Sequence, residues 1–232
     1  SKDVNGNFDI ILTNPPFSVE LDNDTKKILK KNYVFGDKKN SENLFIERWY
    51  QLLRENGRLA AVLPDNVFDT TENKYIRLFI YKYFKVKAIV SLPQLTFQPY
   101  TSTKTSVLFA QKKTKEELKQ WNDAWNSASK KYAKLKTRVE NLIAVHDGKK
   151  EKDKLPSIKT LTDDEERDCL IQLLKDYLLP DDTHLSTDGL IEKYRDELIE
   201  LCKYDKGTVD SFGYVNTWWV FSEMAALVSN DV

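Results

Sequence analysis

The residues with the most chemical content lie near the start of the chain, where Phe8-Asp9-Ile10-Ile11-Leu12 ends abruptly in Thr13-Asn14-Pro15-Pro16-Phe17. The short apolar run reads as a buried strand, and the double proline stiffens the loop at its carboxyl end. A loop at the carboxyl end of a buried strand is where sheets of this kind present side chains to a ligand. By average residue usage, an NPP-aromatic string arises by chance in roughly one of several hundred chains of this length. The plainer reading is a rigid turn in which Phe17 plugs the sheet edge. Other chemistries are poorly provided for. Cys169 and Cys202 make neither a CxxC pair nor a disulfide framework, and two isolated histidines give no zinc constellation. That cysteine usage reads as a protein of the reducing cytoplasm.

The elements that must position this loop follow a β/α rhythm. Leu44, Phe45, Ile46, Trp49, Leu52 and Leu53 share one helical face, with Asn56-Gly57 as the stop. Leu59–Leu63 reads as a second buried strand closed by Pro64, followed by a helix over Tyr75–Phe84 and strands over Val86–Leu92 and Thr105–Gln111. Strands separated by helices predict a mostly parallel sheet with helices on both faces, and the last pair, joined without a helix, is expected to be antiparallel. Ligands of such sheets sit outside the carboxyl ends of the strands, where Asn14–Phe17 falls.

The 36 basic and 36 acidic residues cancel over the whole chain but not within it. Residues 1–113 hold 18 Lys+Arg against 12 Asp+Glu, and residues 114–232 hold 18 against 24. A mildly basic first half is compatible with DNA, though an ordinary solvated surface reads the same way. Lys26, Lys27, Lys30 and Lys31 carry this ambiguity on one helical stretch. Hydrophobic content of 41% supports a packed core, and no apolar run approaches the roughly 20 residues of a membrane span.

Phe8–Phe17 resembles the catalytic motif of S-adenosylmethionine-dependent DNA adenine-N6 methyltransferases. The stretch from Leu44 to Pro64, with Asp65-Asn66-Val67-Phe68 behind it, is similar to the next block of type I restriction-modification modification subunits. Leu92-Pro93, Phe97 and Thr101–Phe109 match in the same order, so the resemblance covers about residues 3–113. It implies an α/β fold, a partial Rossmann-like S-adenosylmethionine-dependent methyltransferase fold holding the second half of the sheet and followed by an α-helical arm. By the resemblance Asn14, Pro15, Pro16 and Phe17 are catalytic: the Asn14 side-chain oxygen and the Pro15 carbonyl accept the hydrogens of an adenine amine, and Phe17 stacks on the base. Asn14 would also border the cofactor. The gripped nitrogen becomes nucleophilic enough to take a methyl group in line from the sulfonium, with neither a metal nor a covalent enzyme intermediate. Reaching that amine in a duplex requires flipping the base out. Phe97 is the candidate for the second face of an aromatic clamp, against the alternative of a core residue in the turn between strands. Thr101 and Lys104, in the hydroxyl-rich segment Gln98–Thr105, are candidate contacts to DNA phosphates, or parts of a solvated loop.

The family's acidic and glycine-rich cofactor block precedes its NPPF in chain order, and no GxG occurs anywhere in this chain. The expectation is a fragment, by itself unable to bind S-adenosylmethionine tightly or to methylate DNA; micromolar binding in calorimetry would overturn it.

Residues 114–232 read as a separate helical interaction region. Leu118, Trp121, Trp125, Ala128, Tyr132, Leu135, Val139 and Leu142 step by three and four residues, an unbroken heptad seam. Leu170, Leu173, Leu174, Tyr177 and Leu178, then Ile191, Tyr194, Leu198 and Leu201, mark two further amphipathic helices about Leu179-Pro180-Asp181-Asp182. These fold into an antiparallel arm, or share the seam with another subunit. Trp218, Trp219, Phe221, Met224 and Leu227 are expected to return to the first half or to dock on a partner. The resemblance implies DNA, a specificity subunit and a restriction subunit as partners. The alternatives are a non-catalytic DNA-binding or assembly module, and a methyltransferase acting on RNA or protein amides.

Overall fold

The computed structural model describes residues 4–17, 19–36, 41–203 and 215–229. They fall into two compact units, residues 1–121 and 122–232. The division between them falls inside a long helix. The first turns of that helix are fastened to the sheet unit, since Lys85 pairs with Glu117 at 2.6 Å and the Lys113 ammonium sits 4.3 Å over the Trp121 ring.

The first unit runs β1 (Phe8–Thr13), α1 (Asn23–Leu29), α2 (Ser41–Leu52), β2 (Leu53–Pro64), α3 (Asn66–Asp69), α4 (Lys74–Tyr83), β3 (Phe84–Ser91) and β4 (Thr105–Lys112). Its four-stranded sheet has the order β1-β2-β4-β3. Only β1 and β2 pair in parallel; β4 runs antiparallel to both its neighbours. The expectation of a mostly parallel sheet is therefore corrected to a mixed one. β1, β2 and β3 do share one direction, but β4 inserts between β2 and β3 and turns two of the three pairings antiparallel.

Alternation along the strands divides the sheet into two faces. Leu59, Ala61 and Leu63 of β2 lie beside Leu108 and Ala110 of β4 on one buried face. Ile80 and Arg77 of α4 meet Leu108, Val86 and Ile89 around a cavity of about 70 Å³. Helix α2 joins α4 through an aromatic cluster, with Tyr50 and Phe79 at 5.9 Å and Phe35 and Phe79 at 5.2 Å. The other face is uncovered among the described residues: Leu12 is 77% exposed, Ile10 50% and Phe109 40%. This corrects two expectations, a buried first strand and helices on both faces. β1 is an edge strand, paired on one side only, and its composition suits a burial that the described residues do not supply.

Helix α2 ends at Leu52, and the expected stop at Asn56-Gly57 serves another purpose. The β1–β2 register slips between Phe8 and Ile10, and Asn56 takes a left-handed conformation at φ 61° in the resulting bulge. A Cβ on Gly57 would lie 2.8 Å from the Arg54 carbonyl oxygen and 3.1 Å from that of Phe8, so the close approach needs glycine.

The second unit carries most of α5 (Lys115–His146), then α6 (Asp163–Leu173), α7 (Thr187–Lys193), α8 (Arg195–Cys202) and α9 (Val215–Ser229). Trp125, Ala128, Tyr132, Leu135, Val139 and Leu142 of the α5 seam are buried. Thr162 and Glu165 form a reciprocal capping box that starts α6. The expected helix from Ile191 to Leu201 is broken at Tyr194, whose hydroxyl donates to Asp182 and accepts from the Leu179 N–H at 3.0 Å. Both described tryptophans of α9 were expected to reach the first half or a partner. Instead Trp219 packs within its own unit, its ring 5.8 Å from Tyr132 and its Nε1 donating to the Gln172 carbonyl at 3.2 Å. The side chain of Leu227 lies outside the described residues. Cys169 and Cys202 are buried free thiols, and burial pushes the Cys202 thiol up to about 12.

Candidate active site

Because β1, β2 and β3 run the same way, their carboxyl ends open at one end of the sheet, where β4 begins. Three chain segments meet there: the loop after Thr13, the turn Asp65-Asn66 after β2, and residues 92–104 after β3. Backbone bonds close the base of the long loop, from the Leu92 N–H to the Thr105 carbonyl at 3.0 Å and from the Asp65 N–H to the Lys104 carbonyl at 3.0 Å. The Ser106 hydroxyl donates to the Asp65 carboxylate at 2.7 Å and ties the second segment to β4.

The first loop is set by its prolines. Pro15 is buried and Asn14 and Pro16 are exposed, so the Asn14 amide is accessible at the rim. Phe17 is half-buried and meets Phe97 of the long loop edge to face, with ring centroids 6.3 Å apart and planes at 79°. The structure thus brings the NPPF loop and Phe97 together across about eighty residues of sequence. It does not set the two rings parallel. A planar group held between them would need outer planes roughly 7 Å apart, two van der Waals layers, so one ring must turn before a base can be sandwiched.

Thr101 and Lys104 brace the loop. The Thr101 N–H donates to the Phe97 carbonyl at 3.1 Å, and its hydroxyl donates to Thr103 Oγ1 at 2.9 Å. Lys104 Nζ donates to Ser91 Oγ at 2.5 Å and to the Leu92 carbonyl. Gln94 Nε2 crosses the loop to the Ser102 carbonyl at 2.7 Å. Of the four lysines near the motif, Lys27 pairs with Asp24 at 3.0 Å on α1.

Sequence reasoning assigned no role to Asp65 or Ser106. Asp65 was findable, because it follows a strand-ending proline on the strand parallel to β1. Ser106 gave no signal, lying inside a strand pattern. Behind the turn, Arg77 donates to the carbonyls of Val67 at 3.1 Å and Thr70 at 2.7 Å, and its partial burial lowers the guanidinium below its ordinary pKa.

Among the described residues no group of His, Cys, Asp and Glu is arranged to hold a metal, and no helix is long and apolar enough to cross a membrane. The arrangement can accept hydrogen bonds from a flat polar group at Asn14 and stack it on an aromatic ring.

The chain belongs to the N-6 DNA methylase family, whose model matches residues 1–171. That match runs through α5 and into α6. The chain is 31% identical over 132 residues to the type I restriction enzyme EcoEI methylase subunit of Escherichia coli, covering 55% of this chain and 26% of that protein. It therefore spans about a quarter of that relative's length. A solved modification subunit of a putative type I restriction enzyme from Vibrio vulnificus YJ016 is 29% identical, with coverage of 44% and 22% and a TM-score of 0.39. A structure describing complex assembly and conformational transition of a type I restriction-modification system is 26% identical, with coverage of 45% and 21% and the same TM-score of 0.39.

Membership implies S-adenosylmethionine as methyl donor. A nucleoside-containing cofactor is ordinarily held by an acidic side chain on its ribose and a glycine cradle that admits backbone contact. The described residues do not fit that need. A Cβ on Gly36 or Gly57 would meet the chain's own backbone at 2.4 Å from Lys30 and 2.8 Å from Arg54, and none of the segments 14–17, 65–66 and 92–104 contains a glycine. The Asp65 carboxylate accepts from Ser106 through one of its oxygens.

Proposed function

We propose that this chain is the adenine-gripping part of the catalytic domain of a DNA adenine-N6 methyltransferase, the modification subunit of a type I restriction-modification system. The observation that carries the reading is the Phe17–Phe97 contact, which gathers the NPPF loop and the long loop at the strand ends beside an exposed Asn14. The target base leaves the duplex and its Watson–Crick edge meets this rim. The exocyclic amine donates one hydrogen to Asn14 Oδ1 and the other to the Pro15 carbonyl, which orients the nitrogen lone pair away from the ring. Phe17 stacks on the base, and Phe97 turns from its edge-to-face position to cover the other side. Asn14 borders the methyl donor, and holding it falls largely to residues other than the described ones. The partners of the whole subunit are DNA, a specificity subunit and a restriction subunit.

The poor fit of the described residues to S-adenosylmethionine favours a second reading, a DNA-binding or assembly module without chemistry. Methyl transfer from labelled S-adenosylmethionine to plasmid DNA separates the two, using the full-length subunit with its partner subunits. Loss of one amine acceptor is expected to lower the rate by roughly 100- to 1,000-fold, the range seen when a single transition-state hydrogen bond is removed. Asn14→Ala should show that loss and Phe17→Ala a smaller one. Activity unchanged by either substitution would move the chemistry elsewhere, and no methyl transfer by the assembled wild type would leave the module as the better account.

A further inference from the structure

Tyr100 is 94% exposed at the tip of the 92–104 loop, an unusual position for an aromatic side chain that costs free energy to leave in water. Its backbone is not loose. Tyr100 sits in the turn closed by the bond from the Thr101 N–H to the Phe97 carbonyl, so it projects from the same turn that carries Phe97. The Gln94–Ser102 cross-brace and the Lys104 bonds to Ser91 and Leu92 fix the two arms of the loop. Leu95, 65% exposed, is the loop's other exposed large apolar side chain. From Leu92 to Thr103 the loop contains no acidic residue, so nothing on it repels a phosphate backbone.

An exposed, rigidly presented aromatic ring beside a base-gripping rim matches one chemical need of the reaction. Extruding a base leaves a gap in the stack and an unpaired partner base, and an apolar or aromatic wedge that fills the gap holds the duplex open. We propose that Tyr100 enters duplex DNA at the position the flipped adenine vacates, stacking on the neighbouring bases while Phe17 holds the extruded one. This rests on the adenine methyltransferase reading above. Tyr100 is a positioning residue: it touches the DNA stack and not the reacting amine. Its phenyl plane supplies the stacking, which is sequence-tolerant because every base offers a π face.

The test compares two DNA substrates with the full-length subunit in its assembled complex. One carries the target adenine in a normal pair; the other carries it opposite an abasic site, where less pairing has to be broken. Tyr100→Ala is expected to slow methylation of the paired target 10- to 100-fold and of the abasic substrate less than about 3-fold, with Tyr100→Phe close to wild type on both. A 2-aminopurine in the target position, which brightens on leaving the stack, should brighten less with Tyr100→Ala on the paired duplex. Leu95→Ala should change either rate by less than about 3-fold. An exposed substitution of this kind leaves folding nearly unchanged. Equal losses on both substrates, no loss on the paired one, or a larger effect from Leu95→Ala would overturn the wedge. Failure of the underlying reading looks different: Asn14→Ala would then leave methylation intact on both substrates, while the 2-aminopurine signal would still report whether Tyr100 opens the duplex.

Discussion

The two units treat apolar surface in opposite ways. In the helical unit the α5 stripe finds its cover at home: Tyr132, Val139, Leu170, Leu198 and Trp219 are essentially removed from water. In the sheet unit the helices cover one face, and Ile10, Leu12, Val90 and Phe109 remain exposed on the other. Burial is the main favourable term in folding, at about 25 cal/mol per Å² of apolar area. The helical unit therefore draws stability from a closed core, whereas the sheet unit draws it from one side of its sheet. Substitutions on the covered and uncovered surfaces should differ sharply for the same loss of side chain.

The largest effect on stability is expected at Trp219, where truncation to alanine leaves a cavity and orphans the hydrogen bond to Gln172. Trp219→Ala should cost about 3–5 kcal/mol in urea denaturation. Leu12→Ala, an equally apolar position, should cost less than about 1 kcal/mol and reduce self-association, seen as lower light scattering. A costly Leu12→Ala would mean that the uncovered face is covered after all, and would break the comparison.

A smaller effect sharpens it by pH. Arg195 donates two hydrogen bonds to the Asp147 carboxylate, at 2.6 and 2.7 Å, and Lys149 donates a third at 2.9 Å. The Arg195 bonds, and then the Lys149 bond, hold the Asp147 carboxyl well below the usual carboxylate range. A carboxyl depressed in the folded state stabilises the fold above its unfolded pKa, near 4, and loses that contribution as pH falls towards the folded value. Arg195→Met should therefore lower Tm at pH 7, by less than Trp219→Ala does, and the gap to wild type should shrink as pH falls below about 4. A gap that stayed constant with pH would place the effect in packing of the arginine stem.

What the sequence disclosed follows from which features repeat along it. The α5 seam was legible because a heptad period survives from Leu118 to Leu142, and six of its eight positions are buried. The strand positions were legible from short apolar runs with turn residues at their ends. Strand order was not, since nothing in β4 itself records that it pairs with both β2 and β3. The break between α7 and α8 depends on Tyr194 reaching Asp182 and Leu179, a side-chain bond that periodicity does not encode. At the site, Asn14–Phe17 and Phe97 were visible from motif and strand-end position. The inward turn of Lys104 was hidden, because a lysine in a hydroxyl-rich loop looks the same whether its ammonium faces water or the loop's own carbonyl.

That inward turn bears on how the loop would meet a polyanion. A lysine that neutralises a phosphate displaces bound counterions, and each such contact steepens the fall of log affinity with log salt by about 0.9. Lys104 spends its ammonium as a buckle between Ser91 and Leu92. Both acceptors are uncharged, so the ammonium keeps its full charge, and the loop would offer a phosphate a cation held at one place beside its ring faces.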